Sequence, residues 1–239
     1  MTPVWLFDLD DTLHDATAAS MGELRVAMGE YIVQQLGITQ AESNTLRTRY
    51  WLRYGATLLG LVRHHGVKPA HFLHHTHLLP GLEDRITRHA PDHAALARLR
   101  GRKYILTNAP AAYAARVLGV LGIGRLFDGV VSIEDMHMFG QLRPKPDARM
   151  LRRLAARLQV QPWRCVLVED TLVHQKAARR VGMKTVWMQR YLRRREAGKH
   201  LPLLPPYVDR RITALQALLA LAVGALVFRR LSPSFAEEV

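Results

Sequence analysis

One cysteine, Cys165, stands in 239 residues, so no disulfide can form within the chain and a reducing compartment is compatible. It lies in the apolar run Cys165–Val168 and reads as a packing residue rather than a nucleophile. Aromatic residues make up only 7%, too few for a base-stacking module, and specific nucleic-acid recognition is not expected. Acidic residues are also few: 20 Asp and Glu face 34 Lys and Arg, a formal charge of +14. Such a surface draws anions, whether phosphorylated metabolites, nucleic acid or an acidic membrane face. It can equally be an arginine-rich surface without a partner. No apolar run reaches the roughly 18–20 residues of a bilayer span. The stretch Ala214–Phe228 falls short, contains Gln216 and is followed by Arg229 and Arg230, so a buried or amphipathic terminal helix is expected. Asp8, Asp10 and Asp11 arrive before a secretory leader could form, which points to the cytoplasm.

With 49% hydrophobic residues, a sizeable core is available. The apolar run Val4–Phe7 ends in acidic residues, as a buried parallel strand does when it delivers a loop. The period then changes. Met21, Leu24, Met28, Ile32 and Leu36 recur at helical steps and close at Gly37. Thr39 and Glu42 form a capping-box pair that opens a second helix through Leu46, Tyr50, Leu58 and Leu61, with Gly55 inside it or breaking it. Further helix, interrupted at Gly66, Pro69 and Pro80, runs to about Arg100.

From Arg102 strands and helices alternate. Strands are expected at Tyr104–Thr107, Val130–Ile133, Cys165–Val168 and Lys184–Met188; helices at Ala111–Leu121, Asp147–Leu158 and Leu172–Val181. That order predicts an α/β fold, a Rossmann-like parallel sheet flanked by helices with an inserted helical cap. The core would be 1–15 with 101–239, and the cap 16–100. Arg190–Pro206, basic then proline-rich, reads as a loop, and Val208–Ile212 as a last edge strand.

In such a sheet the ligand crevice lies beyond the carboxyl ends of the strands. Asp8, Thr107 and the Glu169–Asp170 pair stand at three of those ends. Asp8 and Asp10, two apart, point to one side if the extended backbone persists. Carboxylates sharing a site repel unless one is protonated or a cation lies between them. Three hard oxygen ligands with open positions suit Mg²⁺. Thr107, Asn108 and Lys145 add a hydroxyl, exposed N–H groups and an ammonium, which the equatorial oxygens of a phosphoryl group require.

The string Phe7-Asp8-Leu9-Asp10-Asp11-Thr12-Leu13 matches the first motif of the haloacid-dehalogenase-like (HAD) hydrolase superfamily. Leu106-Thr107-Asn108, Lys145 within Arg143-Pro144-Lys145-Pro146-Asp147, and Val168-Glu169-Asp170-Thr171 resemble the second, third and fourth, in order. The resemblance implies Asp8 as the nucleophile that carries an aspartyl-phosphate and Asp10 as acid/base. Thr107, Asn108 and Lys145 would bind phosphate. Mg²⁺ would sit on Asp8, the main-chain carbonyl of Asp10, and Asp170, with Glu169 and Thr12 in support. Family members that split carbon–halogen bonds lack an acid at the position of Asp10, so phosphate-ester hydrolysis is favoured.

Tyr50-Trp51, Arg53-Tyr54-Gly55-Ala56-Thr57-Leu58, Thr107-Asn108-Ala109-Pro110 and Ile133-Glu134-Asp135-Met136 are similar to the pyrimidine 5′-nucleotidase branch. That implies a small phosphorylated substrate such as UMP or CMP, with Trp51 and Tyr54 stacking on the base and Arg53 or Arg63 steering the anion. Alternatively, Trp51, Tyr54 and Leu58 pack a helical hairpin. A sugar-phosphate phosphatase or phosphomutase, and a catalytically idle binding protein, stay open as other readings. His174 stands where relatives commonly carry Asn, and His137–Leu142 lengthens the stretch before Lys145. His64, His65, His71, His74, His75 and His77 form either a metal group or a solvated surface.

Overall fold

Residues 2–195 and 203–220 are described by a computed structural model. In chain order they form β1 (Val4–Phe7), α1 (Ala16–Ala19), α2 (Met21–Leu36), α3 (Gln40–Tyr54), α4 (Thr57–His65) and α5 (Pro69–Thr76). Next come α6 (Leu82–Arg85), α7 (Ala90–Arg98), β2 (Arg102–Leu106), α8 (Ala111–Leu121) and β3 (Gly129–Val131). A short hairpin, β4 (His137–Met138) and β5 (Gln141–Leu142), precedes α9 (Ala148–Arg157) and β6 (Cys165–Glu169). The run closes with α10 (Leu172–Val181), β7 (Lys184–Met188), α11 (Arg190–Arg195) and β8 (Arg210–Ile212).

The strands make one six-stranded parallel sheet in the order β3-β2-β1-β6-β7-β8. Every residue of β1 and β6 is buried, because helices cover both faces. Alternation assigns the faces. Trp5, Phe7, Val166 and Val168 pack with α7 and α8 on one side; Val4, Leu6, Cys165 and Leu167 pack with α9 and α10 on the other. Gly101, at φ +106°, lets the chain re-enter the sheet beside Pro3, whose carbonyl oxygen would lie 2.3 Å from a Cβ there.

The helices α2 to α5 build their own apolar cluster from Tyr31, Ile32, Tyr50, Leu58, Leu61, Phe72 and Leu73, joined by Ile133 from the sheet side. The Thr39–Glu42 capping box forms as expected. Gly55 ends α3 in a left-handed conformation, so the second helix expected from the sequence is two, folded back on each other. Leu79, Leu82, Ile86, Leu96 and Leu99 pack with the sheet rather than with this insert, so the return from it begins near residue 77.

Other expectations shift at their ends. The strand expected at Val130–Ile133 stops at Val131, because Ile133–Asp135 turns into a 3₁₀ helix under a Ser132–Asp135 capping box. The loop expected over 190–206 begins as helix, and the edge strand covers Arg210–Ile212. The lengthened stretch before Lys145 is the hairpin, whose tip residues Phe139 and Gly140 both have positive φ and whose phenyl ring is 91% exposed. Most of Ala214–Phe228 lies outside the described residues. Among those described, no helix is long and apolar enough to cross a membrane.

The segment after β7 is tied down by a buried ion pair. Arg190 grips Asp92 of α7 through both guanidinium Nη atoms, one at 2.7 Å, while its Nε donates to the carbonyl of Thr213. Removing one member of a buried pair strands the other charge. Asp92→Ala is expected to cost about 3–5 kcal/mol, read from urea unfolding, and Arg190→Met in the same background to recover part of it.

Candidate active site

Asp8, Thr107 and Asp170 stand just past the carboxyl ends of β1, β2 and β6, and Lys145 in the loop before α9. The Asp8 N–H donates to Val168 O at 2.9 Å, extending the β1–β6 ladder by one residue. The chain then leaves the sheet: Leu13 N–H donates to Leu9 O at 2.9 Å, and Asp11 takes φ +54°. This turn follows Asp10, and the two carboxylates take different partners.

That of Asp8 meets Lys145, whose Nζ lies 2.5 Å from Asp8 Oδ1 and 2.7 Å from Glu169 Oε2. All three side chains are buried. Burial alone would depress Lys145, but Asp8 and Glu169 outweigh it and hold the ammonium above the usual lysine range. Glu169 is held well below its usual value by Lys145 and then by His174, whose Nδ1 lies 3.2 Å away, against the effect of burial. Burial, with the charge of Glu169, pushes Asp8 well above the carboxylate range. Asp170 is pushed up to about 9 by burial and then by Glu169 and Asp8. One ammonium contacts two of the three acids, and crowding raises the proton affinity of Asp8 and Asp170.

The backbone that carries the acids is fixed by hydrogen bonds from neighbouring elements. Gln175 of α10 donates to the carbonyls of Glu169 and Val186, each at 2.8 Å, and Trp187 of β7 donates to that of Asp170 at 2.8 Å. Thr171 Oγ1 donates to Asp170 Oδ1 at 3.2 Å. Oxygens of Asp8, Glu169 and Asp170 lie within 4.8 Å of one another, and this acidic group could hold a metal. Hard oxygen donors with uncompensated charge fit a divalent cation such as Mg²⁺. Glu169, expected only in a supporting place, belongs to this group directly.

Thr107 is buried at the end of β2, its Oγ1 accepting from the N–H of Ala109 at 3.0 Å. Asn108 departs from its expected use. Its side chain clamps the backbone of Lys145, Oδ1 accepting from Lys145 N at 2.9 Å and Nδ2 donating to Lys145 O at 3.0 Å. Thr12 is fully buried with its hydroxyl unpartnered, so it supports neither aspartate by a hydrogen bond.

Asp10 is held by two residues the sequence reading missed, His14 and Tyr113, each 2.9 Å from Oδ1. His14 follows Asp10 at the spacing of one helical turn, a signal that was available. Tyr113 lies far along the chain on α8 and left none. Burial and the charge of Asp10 push its hydroxyl well above the ordinary tyrosine range, so it stays a donor.

On the insert, Trp51 is 61% exposed, so it does not pack the helical hairpin; Tyr50 and Leu58 do. Tyr54 is half-buried, hydrogen-bonded to His64 at 2.6 Å, with the guanidinium groups of Arg53 and Arg63 over its ring at 5.5 and 5.8 Å. A Cβ on Gly55 would lie 3.5 Å from Pro146 Cδ, so the α3–α4 turn rests against the Lys145 loop. The histidines pair with tyrosines instead of a metal: Tyr31 with His71, Tyr50 with His65 and Tyr54 with His64. No metal-holding group forms from them among the described residues.

A lysine and three acids thus gather at the carboxyl edge of a parallel sheet. The chain belongs to the haloacid dehalogenase-like hydrolases, whose family model matches residues 4–182. It is similar in fold to a HAD phosphatase from Thermococcus onnurineus (22% identity, TM-score 0.60, covering 92% of this chain and 97% of that one). It is also similar to L-2-haloacid dehalogenase from Xanthobacter autotrophicus (21% identity, TM-score 0.56, 94% and 99%). A third is the magnesium-bound HAD-hydrolase YfnB from Bacillus subtilis (18% identity, TM-score 0.58, 92% and 98%).

Because the Asp170 carboxyl is raised by folding, its stabilising contribution is complete below its unfolded pKa and is lost as pH rises towards 9. In chelator at pH 8, Asp170→Asn is expected to raise Tm by about 3 °C or more. Added Mg²⁺ should stabilise the wild type and not the variant, as differential scanning fluorimetry can read.

Proposed function

We propose that the protein is a Mg²⁺-dependent phosphomonoesterase acting through an aspartyl-phosphate on Asp8, with pyrimidine nucleoside 5′-monophosphates as substrates. One observation carries the reading. Two carboxylates stand two residues apart in different environments, Asp8 on Lys145 beside the acidic group and Asp10 on His14 and Tyr113. A nucleophile and a separate acid/base are what ester hydrolysis needs, because an alkoxide leaving group must be protonated while a halide need not be. Mg²⁺, when bound by Asp8, the Asp10 carbonyl and Asp170, supplies charge stabilisation for the phosphoryl oxygens.

In this reading the Asp8 carboxylate attacks phosphorus and Asp10 protonates the departing oxygen. Lys145, the Thr107 hydroxyl and the Asn108 main-chain N–H hold the phosphoryl oxygens, and Asn108 through its side chain fixes Lys145. Helices α2 to α5 act as a cap that excludes bulk water and selects the leaving group. Its contact with Pro146 and the exposed indole of Trp51 support this, since an unpacked Trp beside Arg53 and Tyr54 is free to stack on a base.

The expected result is Mg²⁺-dependent hydrolysis of 4-nitrophenyl phosphate, lost on chelation and reduced by at least about 10³-fold in Asp8→Asn. Retained turnover in Asp8→Asn would sink the assignment. UMP and CMP should be hydrolysed faster than hexose phosphates, and Trp51→Ala should raise KM for UMP about 5–10-fold with little change in kcat. Faster turnover of sugar phosphates would overturn the nucleotide preference.

A further inference from the structure

Asp10 Oδ1 receives two buried donors. His14 Nε2 lies 2.9 Å from it and Tyr113 Oη 2.9 Å, with the side chains of His14 and Tyr113 almost fully shielded and that of Asp10 21% exposed. The proton positions on these donors follow from what surrounds them. His14 Nδ1 is buried with no partner, so a proton placed there would be an unsatisfied buried donor. The neutral ring therefore carries its hydrogen on Nε2 and gives it to Asp10. Tyr113 has one proton, and Asp10 takes it. Ser20 Oγ, 2.9 Å from Tyr113 Oη, then donates to the phenol oxygen in preference to Ala16 O at 3.1 Å. A directed chain results: Ser20 to Tyr113 to Asp10.

The chain is braced from the side where the insert returns. His77 stands edge-on to the Tyr113 ring, with centroids 5.8 Å apart. One turn further along α8, Arg116 donates to the carbonyls of Leu78 and Leu79 and pairs with Glu83.

We propose that His14 and Tyr113 are positioning residues that saturate Oδ1 of Asp10 and so confine its exchangeable proton to Oδ2. The inference rests on the reading of Asp10 as acid/base. In the first half-reaction an Asp8 oxygen bonds to phosphorus, the phosphorus–oxygen bond to the leaving group breaks, and Oδ2 gives its proton to that oxygen. In the second, a water oxygen bonds to phosphorus, the Asp8 oxygen–phosphorus bond breaks, and the water's proton passes to Oδ2. A carboxyl group fixed by two donors on one oxygen loses neither its rotamer nor the choice of which oxygen is acidic.

The test is the dependence of kcat/KM on leaving-group pKa, measured with substituted phenyl phosphates and one alkyl phosphate for wild type, Tyr113→Phe and His14→Leu. A nitrophenolate leaves with little need of a proton, whereas an alkoxide depends on one. The expected loss in Tyr113→Phe is about 2-fold for 4-nitrophenyl phosphate and at least about 10-fold for the alkyl phosphate, with a steeper slope across the series. His14→Gln, which keeps a donor, should regain part of what His14→Leu loses. A uniform loss across the series, or none, overturns the inference, since packing alone does not discriminate leaving groups. If Tyr113→Phe does not fold, the His14 pair carries the same readout. Wild-type protein that hydrolyses none of the series overturns the phosphatase reading itself.

Discussion

The ammonium of Lys145, buried between Asp8 and Glu169, is the contact on which the rest of the edge depends. It holds Glu169 well below its usual value and opposes the burial and repulsion that raise Asp8. Its placement in turn requires the Lys145 loop to be fixed. Asn108 clamps that loop by both sides of its amide, and Gly55 of the helical insert leaves room for Pro146 against it. A single cation thus links β1, β2, β6, the Lys145 loop and the insert.

One cation does not neutralise three acids. The raised Asp8 and Asp170 carboxyls record the crowding of the three acids, which form a group that could hold a metal. Asp10, two residues on, is met by a phenol and an imidazole, while its charge adds to what raises Asp8.

The basic surface belongs to a different scale. The outward faces of α9 and α10 carry Arg149, Arg152, Arg153, Arg157, Lys176, Arg179 and Arg180, and neither helix contains an acid. Both helices start beside the site, after Asp147 and Thr171. A field of this sign favours arrival of anions without taking part in the chemistry.

The sequence by itself determined the strands, their alternation with helices and the order of the four motifs, because apolar periodicity and strand-end chemistry are local. It also located Asp8, Thr107 and Asp170 at the carboxyl edge, since a parallel sheet brings strand ends together whatever the details of packing. It left Gly55 undecided and did not find the helix at Arg190, where local signals conflict. Only the tertiary structure decided the use of each side chain. Asn108 serves Lys145, Glu169 joins the acidic group, Trp51 faces solvent, and Tyr113 reaches Asp10 across the fold. The two aspartates take different partners for the same reason: Lys145 and Tyr113 reach them from distant elements, and neither contact is written in the spacing of Asp8 and Asp10.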